Sequence, residues 1–149
     1  MPDASHVPPR RLSDLSGPDR RLLILLRLWP RGPEAQAHAW DDLCGALGSA
    51  RARGCLSAFE DLRWRLWRSA WVTPSVAAPG DERLTPDEEA ILTVVRLATE
   101  GEREAALEHA MFLVRPEALL PVILAAERAG LPLLCAECRA RLGGCRGRA

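Results

Sequence analysis

The chain has 149 residues, formal net charge zero and 48% hydrophobic residues, enough for one domain that buries a core without a disulfide or metal. This composition excludes collagen-like, low-complexity, disulfide-scaffold and charge-driven disordered classes. All 20 basic residues are arginine, and lysine, asparagine and tyrosine are absent, a bias toward GC-rich codons that points to a bacterial genome.

Leucine (24) and alanine (23) dominate, while valine, isoleucine and threonine together number 14. Leu, Ala, Arg and Glu lose little rotamer freedom in a helix, whereas β-branched side chains suit pleated surfaces. No stretch alternates apolar and polar at period two. The expected fold is all-α, a bundle of about six helices in two three-helix halves.

Residues 1–15 read as a flexible arm. Residues 1–11 carry Pro2, Pro8 and Pro9 and lack the apolar centre of a secretory signal, so export is not expected. Ser16, Pro18 and Asp19 open a first helix that runs to Trp29 and stops at Pro30. Its body, LLILLRLW, is apolar on nearly every face. Gly32-Pro33 starts a second helix through about Leu47, and Ser49 is placed to cap a third that reaches about Trp71. Residues 72–84 form a polar Pro/Gly linker. Thr85-Pro86-Asp87-Glu88 is the strongest local signal, with Thr85 as N-cap, Pro86 at N1 and Glu88 completing a capping box. That fourth helix ends near Gly101, and a fifth spans about 102–114. A sixth starts at Pro116, kinks at Pro121 and ends near Gly130. Residues 16–134 are read as a single domain, with residues 135–149 as a Cys- and Arg-bearing tail.

The fourth and fifth helices resemble one hairpin of a tetratricopeptide-type repeat in Ala98, Ala106, Ala110 and Pro116. The resemblance covers a single hairpin without a second copy at the repeat spacing, so a solenoid is not implied. The longest uncharged apolar run in a helical stretch, residues 118–126, falls short of the roughly 20 needed to span a bilayer. A buried helix is expected there, and no membrane contact. Five cysteines without a signal segment suggest reduced thiols in a cytoplasm.

Three features carry candidate chemistry. Cys135, Cys138 and Cys145 form a C-x2-C-x6-C pattern in which two thiolates three apart can face one zinc ion. A fourth ligand would come from Cys44, Cys55, His109 or a second chain. The plainer reading is three reduced thiols and no cofactor. On the third helix, Cys55, Leu56, Phe59, Leu62 and Leu66 share one face. Trp64, Trp67 and Trp71 form a neighbouring stripe with Arg63, Arg65 and Arg68 interleaved. Such a stripe is ordinarily core. Its alternatives are a partner-binding edge, since Trp and Arg are enriched in binding hot spots, or a platform for nucleic-acid bases. Charge is also uneven, with nine acids against three arginines over 81–108 and five arginines against Glu137 over 128–149.

Catalysis has little support. His6, His38 and His109 are scattered, and no phosphate-binding glycine loop, nucleophile elbow or H-E-x-x-H pattern occurs. The expected function is that of a non-catalytic cytoplasmic adaptor or regulator that binds another protein or itself. The alternatives are a nucleic-acid-binding regulator that uses the Arg- and Trp-bearing helix 49–71, or a zinc-binding protein that uses the C-terminal cysteines.

Overall fold

Local capping chemistry sets most helix starts. In the computed structural model, which describes the backbone of residues 10–146 and the side chains of residues 10–138, α1 covers Gly17–Leu28. Ser16 Oγ accepts the Asp19 N–H at 3.4 Å, and Pro30 ends the helix in a single 3₁₀ turn. α2 covers Pro33–Leu47 and α3 Ser49–Ser69. One residue joins them. Gly48 donates its N–H to Cys44 O and accepts from Ala52 N, both at 2.9 Å. Closing one helix and opening the next requires its φ of 80°, which glycine adopts without a Cβ clash. Ser49, expected as the cap, is therefore the first helical residue instead. α4, Pro86–Thr99, begins with the full Thr85–Glu88 capping box.

Two ends differ from expectation for one reason. α3 stops at Ser69 instead of Trp71, and α5 covers only Arg103–Ala110. The Trp71 N–H donates to Leu113 O at 3.1 Å, and the Arg115 N–H donates to Ser69 O at 3.0 Å. These antiparallel bonds replace the helical ones that either segment would otherwise make.

α6 is the largest departure. It follows a 3₁₀ turn at Pro116–Ala118 and runs over Leu119–Arg146, through both Gly130 and Pro132. Pro121 sits in the first turn, where an N–H has no intrahelical acceptor, so it produces no kink. Pro132 does remove an interior hydrogen bond. Ala129 and Leu133 are buried on either side of it, so tertiary packing holds the helix across the break. Gly130 is needed there for space, because a Cβ would collide with Thr99 Oγ1 of α4.

The bundle has one core, drawn from all six helices together with Leu15, Leu84, Leu113 and Val114. α6 lies at its centre and packs most extensively on α3 and then on α4. The two three-helix halves are thus successive in the chain but share a single core. Apart from two isolated antiparallel pairings, Arg11 with Arg83 and Ala70 with Val114, the described residues contain no strand.

The linker and the described part of the arm are strapped down. The Leu12 N–H donates to Glu82 O at 2.9 Å, and the Leu84 N–H donates to Arg10 O at 3.3 Å. Arg10 bonds Glu89 and Asp19, and the Glu89 contact raises its pKa. The linker's anchor is Arg27 on α1, which pairs with Glu88 on α4. Arg27 Nε and Nη2 donate to Glu88 Oε1 and Oε2 at 2.9 and 3.0 Å. The same guanidinium donates to the carbonyls of Asp81 and Arg83. The Glu88 carboxylate also accepts the Ala77 and Thr85 N–H groups, each at 2.9 Å. A charge that is costly to bury is therefore satisfied on every side.

Candidate functional site

The tryptophan stripe of α3 does not enter the core. Cys55, Phe59, Leu62 and Leu66 are buried, as their shared face predicts, and Leu56 is half-buried. Trp64 and Trp71 are more than half exposed, and Trp67 is half-buried against the core's edge. α3 needs only one narrow face to meet α6 and α2, so the second apolar face is left on the surface.

The interleaved arginines serve the tryptophans. Arg63 lies 4.6 Å from the Trp67 ring centroid, and Arg68 lies 4.8 Å from that of Trp64. The Arg63 Nε is buried without a hydrogen-bond acceptor among the described residues, so ring-face attraction takes the place of a bond. Arg65 instead pairs with Asp61 one turn back, at 3.1 Å. Trp29 closes the row from the loop after α1, edge-on to Phe59 with ring centroids 6.4 Å apart. Trp29, Glu60, Arg63, Trp64, Trp67 and Arg68 line a shallow groove of about 480 Å³.

The stripe ends in a larger apolar surface. The pairing of residues 69–71 with 113–115 places Trp71 and Val72 beside Met111 and Phe112. The Trp71 indole Nε1 donates to Met111 O at 3.1 Å, which fixes the ring over the α5 end. All four side chains face solvent: Trp71 is 56% exposed, Val72 81%, Met111 57% and Phe112 86%. Arg68 and Arg115, both exposed, belong to the two segments that meet there. Grouped exposed side chains of this size mark interaction surfaces more often than scattered ones do. Met111, Phe112 and Val72 were not among the sequence candidates. For Met111 and Phe112 the signal was only an apolar run, MFLV, at the end of an expected helix, and Val72 opened the expected linker.

The cysteines remain apart. Cys135 and Cys138 are exposed on α6, Cys44 is half-buried, and Cys55 is buried. The Cys55 thiol donates to Ala129 O at 3.6 Å, and burial pushes its pKa up to about 11. Cys145 lies in the last turn of α6, and its side chain is outside the described residues. It lies seven positions after Cys138 along the helix, a rise of about 10 Å. No three His, Cys, Asp or Glu side chains cluster to hold a metal among the described residues. His38 and His109 are exposed on α2 and α5, and His6 lies outside the described residues.

With its charged residues included, the segment Pro116–Cys138 is long and apolar enough to cross a membrane by length and composition, with mean hydropathy 1.6 over its most apolar window. The expectation of no such span rested on uncharged runs alone. Of that window, 44% is buried inside the bundle. Comparison of the chain with protein-family models, with curated proteins and with solved structures finds no match.

Proposed function

We propose that this protein is a non-catalytic cytoplasmic adaptor or regulator that docks another protein on the Trp71–Val72–Met111–Phe112 surface. One observation carries the reading: two segments far apart in sequence pair their backbones, and the pairing gathers four large apolar side chains in solvent. The partner segment that fits it carries a large apolar side chain flanked by acids, since Arg68 and Arg115 stand on the two segments. Burying Phe112 alone is worth roughly 1.5–3 kcal/mol, typical of an interface anchor.

The nucleic-acid reading has weaker support. The ring faces on which bases would stack are covered by Arg63 and Arg68 of the same helix, and Arg65 is paired with Asp61. Phosphate-driven binding would fall steeply with salt, which a heparin column run at rising salt detects.

The test is a quantitative comparison of proteins cross-linked to the wild type and to Phe112→Ser in an extract of the source cell. A protein lost only with the variant is then purified and titrated against both forms by calorimetry. A purified pair that Phe112→Ser weakens at least about tenfold supports the reading. Equal capture by both baits, or equal affinities, overturns it.

A further inference from the structure

α6 is apolar on two sides. Val122, Ala125, Ala126, Ala129 and Leu133 are buried on its inner side. At 100° per residue, Leu120, Leu124, Leu131, Cys135 and Cys138 fall within about 60° of one another on the other side, and all five are exposed. A helix that only covers a core turns polar residues outward. Here the charged groups along the outer face are Glu127 and Arg128, with Glu117 in the turn before it, and the apolar stripe is about 27 Å long.

The arrangement of charge selects what covers this stripe. Its beginning is acidic, with Glu117 in the 3₁₀ turn before α6, Glu104 and Glu108 on the neighbouring α5, and Glu102 at the start of α5. Its end is basic, because the sequence there carries Arg139, Arg141 and Arg146. A single copy cannot bring these ends together. Arg103 anchors α5 to Glu127, and Arg139 lies twelve positions farther along the helix, about 18 Å away. A second copy lying antiparallel about a two-fold axis beside Glu127 and Arg128 does bring them together. Leu124 of each copy then faces Leu131 of the other, and Glu127 faces Arg128. Each basic end meets the other copy's acidic α5. A parallel pair would set acid on acid and base on base.

We infer that the outer face of α6 joins two copies of this chain in an antiparallel, isologous dimer. This interface is separate from the Trp71–Phe112 surface and does not depend on it.

Light scattering on the full chain under reducing conditions tests the proposal. The wild type at about 100 μM should have twice the 16.3 kDa mass of one chain. Leu124→Glu and Leu131→Arg should each give the single-chain mass with an unchanged helical circular-dichroism spectrum. Combining them in one chain should restore the dimer, because antiparallel packing sets each new acid against a new base. A parallel dimer would not be rescued, so failure of the double variant overturns the proposal. A monomeric wild type overturns it too, as does recovery of single copies on phosphatidylglycerol vesicles, which would make lipid the occupant. Phe112→Ser should leave the dimer mass unchanged, which separates this interface from the partner-docking surface.

Discussion

Arg27 and Glu88 tie the first half of the chain to the second by a buried ion pair in which each carboxylate oxygen accepts two hydrogen bonds. Residues 69–71 and 113–115 also tie the halves, but by two backbone bonds beneath side chains left in solvent. The first contact offers nothing to a ligand and everything to the fold. The second sends Leu113 and Val114 into the core and offers the side chains beside them, Trp71, Val72, Met111 and Phe112, to a partner. Polar groups were buried where every donor and acceptor could be met, and apolar groups were exposed where the backbone had already been satisfied.

Substitutions should separate the two regions by an order of magnitude. Arg27→Met leaves the Glu88 carboxylate buried without its cation and should cost about 3–5 kcal/mol, read as a lower urea midpoint. Adding Glu88→Gln should restore part of that loss, since the amide still accepts from Thr85 N. An unchanged midpoint for Arg27→Met would mean that the linker, not the ion pair, holds the junction.

A buried group with burial as its only perturbation sharpens the contrast. Cys55 has a pKa of about 11 in the folded protein, against 9.0 ordinarily. Between those values the unfolded chain releases its proton first, so stability is fully present below pH 9 and falls as pH rises toward 11. The total loss should be about 2–3 kcal/mol. Urea titrations across that range should show the slope in the wild type and a smaller one in Cys55→Ala.

Thr85→Ala removes the hydroxyl that accepts from Glu88 N at 3.0 Å and donates to Ser75 O at 2.6 Å. The expected loss is about 1 kcal/mol, visible in the melting temperature. Phe112→Ser stands at the other extreme and should move stability by less than about 0.5 kcal/mol. A large loss there would show that the patch supports the fold.

Features decided within a few residues were legible in the sequence. Leu and Ala dominance made the fold all-α, and Thr85-Pro86-Asp87-Glu88 placed the start of α4 because an N-cap and its reciprocal acid are neighbours in the chain. Gly48 marked the break between α2 and α3 for an equally local reason, its positive φ. The core face of α3 followed from helical period alone.

Only the tertiary structure decided where α6 ends, because Gly130 reads as a stop until Thr99 is packed against it and Ala129 and Leu133 are buried beside it. It also decided that Trp64 and Trp71 stay outside, since helical period marks an apolar face but not which neighbour arrives to cover it. The Arg27–Glu88 pair and the Trp71–Phe112 surface were hidden for the same reason. Each joins residues at least 40 positions apart, and local propensity carries no signal across that distance.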